Sequence, residues 1–348
     1  VAVAEGNSGR TRVSVTIEVA GSFGAPISFQ YQTADGTATV ANNDYIPASG
    51  TFVFTPQGIP TPTWQTELLT LNSVNDYDFS VWRNRVVWET FDGQDWEIYL
   101  FGGTSTRRLT DNTTDDRFAA IHGRYVVWSG FDGQDYEIYL YDLDTDTTRK
   151  LTDNDFDDKD PRVSDDLVVW WGNSGGVQQI FAYDIALGGD PVNISNNGFN
   201  NYLPFVSGRN VAWYAFDGFD NEIYVYTYGT TRRVSNNTLD DRFPRIDGNR
   251  VVWQQHDGSD WEIALYDIAT STTTLLTSNT RDDMHPEISG NNVVWEGNDG
   301  TDLEIYYINL NLGLASLRKV SDNNTLDQMP RVHGDQLVWH SFVNDNWE

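Results

Sequence analysis

Apolar residues recur along this chain in short triplets, mostly Val-Val-Trp, that end at Trp88, Trp128, Trp170, Trp213, Trp253, Trp295 and Trp339. The successive intervals are 40, 42, 43, 40, 42 and 44 residues. Nineteen residues before each tryptophan stands an aliphatic side chain: Leu69, Leu109, Leu151, Ile194, Val234, Leu276 and Val320. A constant nineteen beside a variable remainder describes one rigid stretch and one tolerant loop per repeat. After each triplet the pattern alternates, as in Glu137-Ile138-Tyr139-Leu140-Tyr141. That period of two marks strands with one buried face, and no helical period interrupts it. Gly123, Gly208, Gly248, Gly290 and Gly334 punctuate the turns before the triplets, where hairpins call for positive φ. Each unit therefore predicts four short strands, and seven such units predict an all-β, seven-bladed β-propeller. The tryptophans are expected to be core, packed between adjacent blades.

The ends of the repeat carry further expectations. The seventh unit runs out at Trp347-Glu348, where its third strand should begin. A strand over residues 66–72 is positioned to complete that blade from the other end. Residues 1–64 follow a different pattern, with alternation in Arg12 to Val19 and in Thr51-Phe52-Val53-Phe54. Pro56, Gly58, Pro60 and Pro62 then suggest a boundary. The expected organisation is a β-sandwich over residues 1–64 and a propeller over residues 65–348.

Charge narrows the partners. The 348 residues carry 51 acidic and 22 basic side chains, a formal net charge of −29. Such a field repels phosphate backbones, so nucleic acid is not an expected partner, and divalent cations suit it better. No apolar run approaches the ~18 residues of a membrane span, so no membrane insertion is expected. Cysteine is absent, which removes disulfide and thiolate chemistry without deciding the compartment. A start at Val1 reads as a processed product or a segment of a longer chain.

Two resemblances add to this reading. Val3-Ala4-Glu5-Gly6-Asn7-Ser8-Gly9, Thr33-Ala34-Asp35-Gly36-Thr37-Ala38, Asn43-Asp44-Tyr45 and Ser49-Gly50-Thr51-Phe52-Val53-Phe54 together resemble a Calx-β module over about residues 1–76. That resemblance implies an immunoglobulin-like sandwich, and it implies Glu5, Asp35 and Asp76 as Ca²⁺ ligands. The acidic stretch and final strands of such a module do not follow Asn75-Asp76, so the sandwich reads as incomplete. Residues 65–71 are claimed by both patterns, and the nineteen-residue spacing favours the propeller. The Pro-x-Val-Ser-Gly, Val-Val-Trp, Glu-Ile-Tyr and Leu-Thr-Asp-Asn segments resemble TolB-type or WD40-like repeats of bacterial and archaeal surface proteins.

The most repeated polar motif is Asp-Gly-x-Asp-x-Glu, as Asp92/Asp95/Glu97, Asp132/Asp135/Glu137, Asp217/Asp220/Glu222, Asp257/Asp260/Glu262 and Asp299/Asp302/Glu304. Carboxylates this close offer the oxygen ligands that Ca²⁺ takes, making Ca²⁺ the expected cofactor. The competing reading is structural: Asp-Gly makes the turn and the next acid solubilises a strand edge. A second acidic set, Asp111/Asp115/Asp116, Asp153/Asp157/Asp158, Asp240/Asp241 and Asp282/Asp283, reads as turn formers. Asn112, Asn193, Asn236 and Asn323 head Asn-x-Ser/Thr sequons and are candidate glycosylation sites. His122, His256, His285, His333 and His340 are scattered, and no nucleophile elbow or metalloprotease helix occurs.

These observations lead to one expectation: a non-enzymatic extracellular or cell-surface structural protein mediating adhesion or self-assembly. A filament joined by strand complementation between unfinished modules would be its form, with the chain itself as partner. The alternative is a Ca²⁺-stabilised propeller that docks a protein or glycan ligand, present here as a fragment of a longer surface protein.

Overall fold

A computed structural model describes residues 27–32, 49–54, 76–334, 336–343 and 346–347. The chain divides into two compact units, Val1–Leu68 and Leu69–Glu348. In the first, Ile27–Gln32 pairs antiparallel with Ser49–Phe54, with Ile27 opposite Phe54. The rest of the Calx-β-like pattern, Glu5 and Asp35 included, lies outside the described residues, as does the segment 66–72 proposed to close the last blade.

The second unit is a succession of antiparallel sheets, each made by one repeat. The second sheet shows the plan: Asp116–His122, Tyr125–Phe131, Tyr136–Asp142 and Thr147–Lys150 lie side by side in chain order. Six sheets have four strands, their first strands being Asp76–Trp82, Asp116–His122, Asp158–Ser164, Asn201–Ser207, Asp241–Asp247 and Asp283–Ser289. The seventh has three: Asp327–His333, Gln336–Val343 and Asn346–Trp347. Among the described residues there is no α-helix, only the short 3-10 turn Gly313–Ser316.

The repeat spacing has a hydrogen-bonding cause. In each four-stranded sheet the aliphatic residue sits just past the fourth strand and sends its N–H to the third, as Leu109 to Ile98 O and Leu151 to Ile138 O, both 2.7 Å. The hydroxyl that follows completes the rung from the other side: Thr110 and Thr152 Oγ1 accept from Ile98 N and Ile138 N at 2.8 Å. Ser195, Ser235, Thr277 and Ser321 repeat this. A hydroxyl thus replaces a strand carbonyl, and the loop beyond is free to vary.

The core lies between sheets, as expected for six of the tryptophans, whereas Trp339 is only half-buried. Trp170 is fully buried against Val127, Ile138 and Leu140 of the preceding sheet, and Trp213 packs likewise on Val169, Ile180 and Ile194. On its own sheet Trp170 stacks on Phe181 with ring centroids 6.0 Å apart. Trp128 on Tyr139 and Trp295 on Tyr306 do the same.

Every first strand carries a bulge with a non-glycine residue in the left-handed region: Asp78, Phe118, Asp160, Leu203, Phe243, His285 and Met329, with φ between 43° and 58°. For bulky side chains this conformation is costly and needs support. The preceding sheet supplies it in several cases. Phe118 N–H donates to Glu89 Oε2 at 2.8 Å, His285 N–H to Gln254 Oε1 at 3.2 Å, and Met329 N–H to Glu296 Oε1 at 2.7 Å. These bonds fasten the first sheet to the second, the fifth to the sixth and the sixth to the seventh.

Candidate functional site

The Asp-Gly-x-Asp-x-Glu segments form the turn between the second and third strands. The first aspartate shapes the turn: Asp257 Oδ1 accepts from Ser259 N at 2.7 Å and Asp260 N at 3.1 Å. The glutamate begins the third strand and turns inward, where Glu262 Oε1 accepts from Asn279 N. Four clusters also hold a cation of their own. Arg108 reaches Asp92 at 2.9 Å and Glu97 at 2.5 Å, Lys150 reaches Asp132 at 2.8 Å, Arg233 reaches Asp217 at 2.6 Å, and Lys319 reaches Asp299 at 3.0 Å. Carboxylate oxygens from three residues lie within 4.8 Å of one another in Asp92/Asp95/Glu97, Asp217/Asp220/Glu222 and Asp257/Asp260/Glu262. In the second and sixth sheets the trio is Asp132/Glu137/Asp153 and Asp299/Glu304/Asp322, so a loop aspartate takes the place of Asp135 and Asp302.

The middle aspartate is the unusual member. Both carboxylate oxygens of Asp95, Asp135, Asp220, Asp260 and Asp302 are buried without a hydrogen-bond partner. Asp260 is only 6% exposed. Burial raises its pKa above the ordinary carboxylate value, and Asp257 and Glu262 raise it further.

The second acidic set has a structural role that the sequence reading did not anticipate. Asp116, Asp158, Asp241 and Asp283 each accept the indole N–H of Trp128, Trp170, Trp253 and Trp295, at 2.7 to 2.8 Å. The other oxygen accepts an amide from the loop, as Asn154 Nδ2 to Asp158 at 2.7 Å. Asn201 does the same work without charge for Trp213, at 2.9 Å. The aspartate ahead of each closes the loop instead: Asp115 Oδ1 takes Trp96 N and Asp157 Oδ1 takes Tyr136 N, both at 3.1 Å.

A third group escaped the sequence reading altogether. Two residues past each bulge, the first strands carry Ser80, Ala120, Arg162, Phe205, Arg245, Glu287 and Arg331. Five of these meet from sheet to sheet. Arg245 Nε donates to Glu287 at 2.8 Å, Arg331 lies 3.0 Å from the same carboxylate, and the Arg245 guanidinium sits 3.9 Å from the Phe205 ring centre. Arg162 lies 6.0 Å from that ring centre and pairs with Asp160 at 2.9 Å. Burial lowers the Arg245 pKa from its ordinary value, with Glu287 opposing the shift and Arg331 and Arg162 adding to it. The available signal was a position that changes chemistry in every unit while its neighbours repeat.

The remaining candidates sit as follows. Asp76 opens the first strand of the first sheet, opposite Thr90, at the register that Asp116 and Asp158 hold in later sheets. Asn112 and Asn323 donate their side-chain amides to Asp116 and Asp327 at 2.6 and 2.8 Å, and Asn193 lies 3.4 Å from Gln179. His122 Nδ1 accepts from Asp165 N, His256 Nδ1 from Gly258 N, and His285 lies 3.0 Å from Glu296. Among the described residues no helix is long and apolar enough to cross a membrane.

The sequence matches no protein-family profile and no curated relative. Its fold does have solved counterparts. A puromycin-hydrolyzing peptidase of Mycobacterium tuberculosis is 15% identical, with a TM-score of 0.56 over 77% of this chain and 49% of its own. An acylaminoacyl peptidase of Pyrococcus horikoshii is 11% identical, with a TM-score of 0.53 over 77% and 49%. The β-propeller domain of the Trilobed protease from Pyrococcus furiosus, described as having an open velcro topology, is 10% identical over 77% of this chain and 89% of its own, with a TM-score of 0.54. The chain thus spans about half the length of the two whole peptidases. At these identities the likeness shows the fold, an all-β propeller type.

These neighbours correct the expectation of a non-enzymatic structural protein that adheres or self-assembles, because the propellers in question belong to peptidases. The reason is physical. Val-Val-Trp and the nineteen-residue spacing encode how one sheet packs on another, and that packing is the same whatever a propeller is joined to.

Proposed function

We propose that this chain is the propeller portion of a peptidase-type protein, its seven sheets acting as seven blades around an axis. In this reading the first strands of the third to seventh sheets engage a peptide segment that bears a carboxylate. The observation that carries it is the line Arg162, Phe205, Arg245, Glu287 and Arg331. Three guanidiniums there face two carboxylates, Asp160 and Glu287, leaving a positive balance in a chain whose formal charge is −29. Guanidinium recognises carboxylate through paired N–H donors, and partial burial strengthens the attraction. Phe205, flanked by two arginines, adds an apolar face for a neighbouring side chain.

The test is fluorescence anisotropy with a labelled octapeptide of mixed sequence, offered with a free C-terminal carboxylate or as its amide. The acid is expected to bind saturably at low salt, and the amide at least ~10-fold more weakly. Arg331→Met, at a side chain 58% exposed, is expected to weaken the acid by ~10-fold while leaving the melting temperature unchanged. Equal affinity for acid and amide, or an unaltered Kd in Arg331→Met, sinks the reading.

A further inference from the structure

One cluster of the Asp-Gly-x-Asp-x-Glu series differs from the rest. In the first, second, fourth and sixth sheets, the residue before the conserved aliphatic is Arg108, Lys150, Arg233 or Lys319, and it bridges the carboxylates. In the fifth sheet that position holds Leu275, 47% exposed. Among the described residues no lysine or arginine pairs with Asp257, Asp260 or Glu262. Three carboxylates therefore converge within 4.8 Å, met by the backbone N–H groups of Ser259, Asp260 and Asn279 but by no lysine or arginine. Both Asp260 oxygens and Glu262 Oε2 are buried and unpartnered, with Asp260 at 6% and Glu262 at 1% exposure. An arrangement of this kind is strongly unfavourable unless protons or a cation occupy it.

The third sheet shows what the repeat does when this need is removed. There both aspartates are gone, the turn reads Gly175-Gly176-Val177, and the glutamate has become Gln179. Its oxygen accepts from Ser195 Oγ at 3.0 Å and Asn197 N at 3.1 Å, and its nitrogen donates to Phe199 O at 3.0 Å. The second terminal oxygen is unpartnered in Glu97, Glu137 and Glu262 and accepts from a serine in Glu222 and Glu304, whereas the third sheet replaces it with a satisfied N–H donor.

We propose that Asp257, Asp260 and Glu262 bind a divalent cation, Ca²⁺ by ligand type. The donors are all hard oxygens on a tight turn, and Ca²⁺ tolerates the irregular geometry that Mg²⁺ does not. The cation joins the second and third strands at an end of the sheet where no side-chain cation does so. Trp261 follows Asp260 directly and serves as an antenna.

The experiment is terbium luminescence excited through tryptophan on the EDTA-treated full chain, with Ca²⁺ competition and calorimetric titration of Ca²⁺ alone. A tightest phase near ~10⁻⁴ M Ca²⁺ or below is expected, with Mg²⁺ at least ~10-fold weaker. Asp260→Asn is expected to abolish that phase. Leu275→Arg, which removes no ligand and copies the arrangement of the other sheets, is expected to weaken it by ~10-fold or more. Melting curves read the same site independently: in EDTA, Asp260→Asn melts higher than the parent, and in Ca²⁺ it melts lower. Absence of Ca²⁺ saturation below 10⁻² M overturns the proposal, as does a tightest phase unmoved by both variants. A melting order that ignores Ca²⁺ means protons alone neutralise the cluster, and it overturns the proposal too.

Discussion

Replacing Trp170 with alanine is expected to lower the unfolding free energy by about 3–5 kcal/mol, the range for truncating a large buried aromatic. Trp170 is fully buried between the second and third sheets and cannot be replaced by solvent without opening the interface. Its loss also removes the stacking on Phe181 and orphans the Asp158 carboxylate, whose Oδ1 it holds at 2.8 Å. Trp170→Phe separates the contributions, because phenylalanine keeps most of the volume and drops only the N–H. A cost of about 1–2 kcal/mol is expected for that variant. Urea denaturation followed by far-ultraviolet circular dichroism checks both. An alanine variant within 1 kcal/mol of the parent would show that the sheets do not depend on the tryptophan layer.

The second large effect is one of pH. Asp158 and Asp241 are pushed up to about 7, and Asp116 and Asp283 to about 6, each chiefly by burial and against the donors from tryptophan and asparagine. In the unfolded chain the same groups titrate near 3.9. The native state thus holds more protons than the unfolded state between these values, so stability falls as pH rises through 6 to 7 and is fully recovered near 4. Acidification from pH 8 to pH 5 is expected to raise the melting temperature by at least ~4 °C, taking ~2 °C per kcal/mol for a unit this large. Below about pH 4 the trend reverses. Asp132 and Asp299, held down to about 2 by Lys150, Lys319 and turn N–H groups, then lose charge that the native state favours. Scanning calorimetry across pH 3–8 checks the dome. Asp158→Asn is expected to flatten its alkaline side, since Asn201 already fills this role for Trp213. Asp158→Ala is expected to cost about 2 kcal/mol at pH 5 by leaving the indole N–H unpaired.

Much of the architecture was legible in the chain because packing repeats. The tryptophan layer, the Asp-Gly turns and the aliphatic residue that closes each fourth strand all recur at fixed register, so a misplacement in one unit is exposed by the other six. The same redundancy hid two things. Asp116, Asp158, Asp241 and Asp283 looked like turn formers because they sit beside turn formers; only the bulged first strand, by its register, brings their carboxylates to the indole twelve residues on. Arg162, Arg245 and Arg331 recur at one register in only three of the seven units, and what brings them to Phe205 and Glu287 is the spatial order of first strands, which the spacing does not encode. The peptidase likeness was beyond reach for a related reason: the recurring residues report contacts between sheets, and those contacts do not depend on what a propeller is joined to.

The left-handed bulge has a consequence for how such a chain can change over generations. Asp78, Phe118, Asp160, Leu203, Phe243, His285 and Met329 share one backbone shape across five residue types. Their conformation is set by bulge geometry and, in several sheets, by a bond from the sheet before, while their side chains make contacts that differ from sheet to sheet, as Asp160 with Arg162 and Phe243 with Tyr214 and His285. A newly duplicated unit inherits a finished interface together with one position open to alteration. Neighbouring positions such as Phe243 and His285, whose rings touch, are expected to change together, which makes the molecule a row of linked characters on a common typeface.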